Sequence, residues 1–181
     1  MTEVAVETER LLLRPWREED VAPFHALNQD PEVIRFLYDE PPSLDEVRAS
    51  IARMSRLQRE RGFTFWAAER RDTAEFIGFC GLKPGPEGTP VADQPEIGWR
   101  LARAHWRQGF AHEAASASLA WAWAQGFPSV AAITVPANEP SWRLMEKLGM
   151  VRDVHADFDH PVLPAGHRLS RHVTYRIQRP A

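Results

Sequence analysis

The chain has 181 residues, 44% of them hydrophobic and 26% charged, with 22 Lys+Arg against 25 Asp+Glu and a formal net charge of -3. That is enough chain to bury a sound core as one domain over residues 1–181, and a pI near 6.2 argues against a nucleic-acid binder, which would present a basic surface interleaved with aromatics. No apolar run approaches the roughly 20 residues needed to cross a bilayer, Met1 to Arg10 carries no basic-then-apolar leader, and the lone Cys80 allows no intramolecular disulfide, so a cytoplasmic protein without membrane contact is expected.

Leu11 to Arg14 reads as an edge or opening strand, and Glu18 to Asn28 as a helix with Val21, Phe24, His25 and Leu27 toward one side. Ser43-Leu44-Asp45-Glu46 is a capping box, in which hydroxyl and carboxylate satisfy each other's backbone amides; it opens a helix running to about Arg61, where Gly62 stops it. Phe63 to Glu69 and Glu75 to Leu82 form a hairpin around the polar residues 70–74. Residues 84–95 are too rich in Pro and Gly for regular structure and form a loop leading to the strand that carries Glu96.

Beyond Gly109 lies a helix with alanines at 111, 114, 115, 117, 120, 122 and 124, small enough for close approach to a sheet, and Gly126 ends it. Trp121 and Trp123 are two apart and cannot share its face, so one is expected in the core and the other exposed or at an interface. Ser129 to Val135 reads as a buried strand, a short helix follows Asn138, and Val151 to Phe158 and His172 to Ile177 supply two closing strands. These elements argue for an α/β fold with a central mixed, mostly antiparallel sheet and helices on its faces.

The segment from Glu96 to Glu113 carries most of the functional signal: a strand, a basic turn and an Ala-rich helix. Gly109 permits close backbone approach and positive φ, while the helix behind it aims unpaired N–H groups and its dipole at whatever occupies the turn. From Arg100 to His112 there are three arginines, two histidines and no acid, so the field is locally positive in a chain of net negative charge. Neither Gly-x-x-x-x-Gly-Lys-Ser/Thr nor Gly-x-Gly-x-x-Gly is present, which sets aside nucleoside triphosphates and NAD. Taken alone, the turn reads as an ordinary strand-to-helix connection with Gly there for geometry.

Trp106-Arg107-Gln108-Gly109-Phe110-Ala111 resembles the pyrophosphate-binding motif Arg/Gln-x-x-Gly-x-Gly/Ala of the GNAT-type N-acetyltransferases, with Trp106 in place of Arg or Gln. Downstream, Asn138-Glu139-Pro140-Ser141 with the short helix ending Glu146-Lys147-Leu148-Gly149-Met150 resembles the family's Asn-x-x-Ser and Glu-Lys-Leu-Gly-Phe, with Met150 for Phe. Read locally, Asn138 is an N-cap-region residue, Pro140 suits a first helical turn and Gly149 a left-handed C-terminal cap. Thr8 to Arg14 with Asp20, and Asp157 to Pro161 through His172 to Arg176, are similar to the ends of the branch that acetylates N-terminal amines of ribosomal proteins.

The resemblance implies a GNAT-like fold, acetyl-CoA as cosubstrate without a metal, and a primary-amine acceptor, either a protein or peptide N-terminus or a small amine, in a monomer or homodimer. It implies that strands 96–101 and 129–135 splay to admit pantetheine, with backbone groups around Trp99 and Leu101 pairing to it. The amides of Gln108, Gly109, Phe110, Ala111 and His112 would receive the pyrophosphate, Asn138 would join the cofactor set, and Arg103 and Arg107 would either reach the phosphates or stand solvated.

Acyl transfer from a thioester to an amine needs a neutral amine, a polarised carbonyl and a proton for the leaving thiolate. Ser141 occupies the family position for the last role; otherwise it is a first-turn helix residue. Glu96, just ahead of the slot-lining strand, is the candidate base or else a solvated strand-end carboxylate, with His155, Asp157, His160 and His172 as rivals. Those residues lack metal-ligand spacing, and Cys80 reads as an inert core thiol. An α-amine, with pKa about 7.7 to 8.0 against about 10.4 for lysine, is partly neutral at pH 7 and suits a weak base. The alternative function is a catalytically silent acyl-CoA-binding or sensing domain on the same scaffold.

Overall fold

The computed structural model describes residues 4–181; Met1 to Glu3, part of the segment read as lacking a leader, lie outside the described residues. These form strands β1 (Val6–Glu7), β2 (Leu11–Arg14), β3 (Phe65–Arg70), β4 (Phe76–Pro84), β5 (Pro95–Leu101), β6 (Ser129–Thr134), β7 (Val151–Arg152), β8 (Phe158–Asp159) and β9 (Arg171–Gln178). The helices are α1 (Val21–Asn28), α2 (Pro31–Ile34), α3 (Leu44–Arg61), α4 (Phe110–Ala124) and α5 (Glu139–Lys147). The sheet runs β1-β2-β3-β4-β5-β6-β9-β7, with β8 paired to β9. Its neighbours are antiparallel except β5 and β6, which run parallel.

Strand alternation divides the core in two. On one face Leu82, Ile97 and Leu101 join Trp66 and Cys80 under Phe110, Ala114, Ala115 and Leu119 of α4 and Met145 of α5. On the other, Ala67 and Phe79 pack with Val21, Phe24 and Leu27 of α1 and Val47, Ile51 and Met54 of α3. The alanines of α4 let its backbone settle across β4 and β5, and Ser118 tucks its hydroxyl onto the Ala114 carbonyl at 2.8 Å, beside Cys80. Burial pushes the Cys80 thiol up to about 12, which leaves it an inert core group.

The capping box forms as expected: the Ser43 amide donates to Glu46 at 2.7 Å and the Glu46 amide to Ser43 Oγ at 3.3 Å. The helix ends at Arg61 with Gly62 in the left-handed region at φ 80. Other expectations need correction. Glu18–Asp20 is a separate 3-10 turn before α1, because Asp20 is drawn inward to a two-pronged bond with Arg14 at 2.8 Å. Asn28 rather than His25 takes the buried place on α1. Trp121 and Trp123 are both half-buried against one core cluster, since Phe63 and Phe127 extend that cluster around the helix end.

Val151 to Phe158 is not one strand. After Arg152 the chain turns through a 3-10 segment at Val154–Ala156, held by the Thr174 hydroxyl on the Ala156 carbonyl at 2.7 Å and by Asp157 accepting the Thr174 amide at 3.2 Å. These bonds break the ladder and leave Val151 and Val154 exposed. Among the described residues no helix is long and apolar enough to cross a membrane.

Candidate active site

The site begins where two parallel strands part. Although β5 and β6 are neighbours, their register consists of one pair, Glu96 with Ala131. On its other edge β5 is held fully by β4, from Pro95 with Pro84 to Leu101 with Gly78. The Ala102 amide donates to the Ile77 carbonyl at 2.9 Å, which makes Ile77 and Ala102 a hydrogen-bonded pair. By the alternation of an antiparallel ladder, Arg100, Gly98 and Glu96 likewise turn their backbone groups to β4. Trp99 and Leu101 therefore point theirs at the edge from which β6 has departed. The Leu101 carbonyl is taken by the Trp106 indole N–H at 2.8 Å. Trp106, where the family motif has Arg or Gln, thus pins the end of the open strand.

The strand runs directly into the turn. Arg107 and Gly109 both adopt left-handed conformations, at φ 58 and φ 85, and α4 starts at Phe110. Two residues of positive φ coil the backbone so that successive amides converge. Among the described residues the N–H groups of residues 107–112 have no acceptor, and the first bond of the helix runs from Glu113 to the Gly109 carbonyl at 3.0 Å. Gln108 folds its side chain onto the Ala104 carbonyl at 2.7 Å and offers its own carbonyl to Arg10 at 3.0 Å. Phe110 is buried and Ala111 packs against the core, so both present only their backbone to the turn, while His112 lines an open depression beside it.

Arg107 is exposed and has no side-chain partner among the described residues. Arg103 differs: its guanidinium pairs with Asp30 at 3.0 Å, so a phosphate would compete with a carboxylate for it. Arg10, which no motif indicated, lies along the turn; a Cβ at Gly109 would come within 3.3 Å of its Nη2. Its charge is answered by Glu113, whose Oε2 accepts from Arg10 Nε at 2.6 Å.

At the apex of the fork stands Glu96. It is neither ahead of the strand nor solvated, being the second residue of β5 and 7% exposed. Lys83, its partner across the ladder, donates from Nζ to Glu96 Oε2 at 2.6 Å. Burial pushes the Glu96 carboxyl above its ordinary range, and the charges of Lys83 and His172 oppose this without cancelling it. His172 and His160 lie with ring centroids 5.2 Å apart, and burial, with the nearby charges of His172 and Lys83, holds His160 below its usual range. Glu96, Lys83, His160 and His172 thus form one electrostatic group. His155 is exposed on the 3-10 segment, and Asp157 is committed to Arg152 and Thr174, so neither joins it.

Ser141 and Asn138 come from the other side of the fork. Asn138 precedes α5 as its N-cap residue, yet its side chain does not cap; it donates back to Thr134 Oγ1 at 3.0 Å, tying the helix to the end of β6. Ser141 is half-buried, its amide bonded to the Asn138 carbonyl at 3.1 Å, and its hydroxyl has no partner among the described residues. Lys83 escaped sequence reading because only pairing of β4 with β5 sets it opposite Glu96; the hairpin on either side of residues 84–95 was its one available signal. Among the described residues no group of three or more His, Cys, Asp or Glu is placed to hold a metal ion.

An open parallel fork running into a coil of free amides suits an extended ligand that ends in a phosphate. Residues 10–151 match the model of the acetyltransferase (GNAT) domain, and the chain belongs to that family. It is 36% identical over 146 residues to the uncharacterized protein YkkB of Bacillus subtilis strain 168, covering 79% of this chain and 83% of the relative. It is 31% identical over 150 residues to the uncharacterized N-acetyltransferase YoaA of the same organism, covering 82% and 83%. In fold it resembles the ribosomal L7/L12 α-N-protein acetyltransferase RimL, solved in complex with coenzyme A, at a TM-score of 0.76 and 16% identity over 97% of this chain and 98% of that one.

Proposed function

We propose that the protein transfers the acetyl group of acetyl-CoA to the α-amine of a protein or peptide N-terminus or of a small molecule, by direct attack of the amine on the thioester. The observation that carries this reading is the fork: one bridge at Glu96 and Ala131, then the open backbone of Trp99 and the open amide of Leu101, then the unpartnered amides of residues 107–112. Pantetheine amides would add to the β5 edge as a strand does, and the amides of the turn, with Arg107, would hold the pyrophosphate. Asn138 fixes the start of α5 on the far wall.

Each protein group has a defined task. Glu96, freed of its proton, accepts one from the attacking amine directly or through a water. Lys83 keeps the carboxylate aimed and answers its charge, with His172 at the same end of the cleft. Ser141 supplies a proton to the departing thiolate. A single carboxyl of raised pKa is a modest base, well suited to an α-amine that is already partly neutral and poorly suited to a charged lysine.

The test is thiol release from acetyl-CoA with two matched peptides, one with a free N-terminus and no lysine, the other N-terminally blocked with one lysine. The free N-terminus is expected to turn over faster. Faster turnover of the blocked lysine peptide overturns the acceptor class, and CoA binding without turnover of any amine favours a silent acyl-CoA-binding domain.

A further inference from the structure

Along β5, the residues that share a face with Glu96 are Gly98 and Arg100. Between the two charged ends, aromatic rings pack against this face of the strand. A Cβ at Gly98 would lie 2.7 Å from the Phe65 ring, and Phe65 stacks on Phe79 at 5.1 Å and 11°. Lys83 Nζ lies 5.4 Å from the centre of the same Phe65 ring, so these rings reach the Glu96 pair without a break.

Arg100 stands at the far end in unusual company. Its guanidinium carbon lies 5.8, 5.2 and 5.3 Å from the ring centres of Phe24, Tyr38 and Phe79. Its hydrogen-bond partners are neutral: Nη1 donates to Asn28 Oδ1 at 2.6 Å and Nη2 to the Tyr38 hydroxyl at 3.3 Å. Asn28 is itself buried and fixed by its bond to the Phe24 carbonyl at 2.8 Å. Arg100 Nε is buried with no partner.

Several other arginines hold a carboxylate. Arg14 holds Asp20 at 2.8 Å, Arg103 holds Asp30 at 3.0 Å, Arg168 holds Asp39 at 2.8 Å and Arg176 holds Asp153 at 3.0 Å. Among the described residues Arg100 has no carboxylate. Partial withdrawal of a cation from water without a counter-charge is costly, and stacking on rings offsets only part of that cost. Each terminal nitrogen keeps a second N–H beyond its bond to Asn28 or Tyr38, and a planar guanidinium that offers two such donors is shaped for a carboxylate.

We propose that Arg100 recognises a carboxylate on the acceptor, so that the site selects primary amines that also carry an acidic group. The amine lies at Glu96 and the acid at Arg100, with the intervening atoms along the Phe65 ring. This rests on the acetyltransferase reading above. The same chemistry arises from a free amino acid or from a peptide whose second residue is acidic.

The experiment compares two matched pairs with saturating acetyl-CoA: peptides with free N-termini differing by aspartate or asparagine at position two, and a free amino acid against its carboxamide. In one pair the acidic member is expected to show kcat/KM about 10- to 100-fold higher, carried by KM, the size of one charge-assisted contact; which pair responds identifies the source. Arg100→Gln, checked for folding by its melting temperature, is expected to collapse that ratio to near unity, and Arg100→Lys to retain part of it. Equal turnover of both members by the unaltered protein, or a uniform fall for both in Arg100→Gln, overturns the proposal. Should no amine be turned over, the acetyltransferase reading fails on its own account, and calorimetry on the CoA-saturated protein decides. Preferential binding of an acidic member, lost in Arg100→Gln, then supports the proposal, and its absence overturns it.

Discussion

The two ends of the fork are built on different principles. At the proposed cofactor end, residues 106–112 are consecutive and would act through their backbone, so side-chain identity would matter at few positions apart from Gly109. At the proposed acceptor end, Lys83, Glu96, Arg100, His160 and His172 come from β4, β5, β9 and the loop after β8, and they would act through side chains. A backbone cradle tolerates sequence change and serves one shared cosubstrate; a side-chain cluster is specific and fragile.

Substitutions can break this contrast, and the largest effect is expected at the acceptor end. Glu96→Gln keeps the shape and removes the base, so kcat is expected to fall about 10²- to 10⁴-fold while CoA binding persists. In the unaltered protein the acidic limb of kcat/KM should lie above the ordinary glutamate pKa of about 4.3, because burial raises the Glu96 carboxyl, and this limb should vanish in the variant. A pH profile of both proteins checks this; an unchanged limb would move the base role to the histidines.

Next comes the cradle. Gly109→Asp places a negative charge against the pyrophosphate and a side chain where φ is 85, and its nearest obstacle is the movable tip of Arg10. The fold should survive while CoA affinity drops about 100-fold or more, the loss of two or so charge-assisted bonds. Calorimetry together with a thermal melt separates the two effects; undiminished affinity in a folded variant would displace the phosphate site. Ser141→Ala should be smaller, lowering kcat about 10- to 100-fold with KM for acetyl-CoA nearly constant, as expected of a group needed mainly in the transition state.

The smallest effect sharpens the contrast from outside the chemistry. Burial raises the Glu113 carboxyl, but bonds from the Thr8 hydroxyl and the Arg10 amide and guanidinium outweigh it and hold it below its ordinary range. A lowered folded-state pKa means that this stabilisation is complete above the unfolded value of about 4.3 and is lost as pH falls through the folded one. Arg10→Ala should therefore cost about 1 kcal/mol or less at pH 7 and less still in acid, read from denaturant melts at the two pH values.

What the sequence determined by itself is local. The capping box at Ser43 and Glu46, the left-handed glycines that end α3 at Gly62 and open α4 at Gly109, the Ala-rich α4 and the Asn138 to Gly149 signature all follow from contacts within a few residues, and they suffice for the family and for the turn ahead of α4. The tertiary structure decided what depends on partners distant in the chain. Val151 to Phe158 reads as a strand by composition, yet Asp157 and Thr174 bond in a way that breaks it. Glu96 reads equally as base or solvated carboxylate, and only the pairing of β4 with β5 buries it and gives it Lys83. The parting of β5 from β6 leaves no mark in either strand, because strand direction is set by what packs on each face rather than by the strand's own residues. Arg100 is one arginine of many in the sequence; the absence of a carboxylate beside it among the described residues is a property of the assembled fold alone.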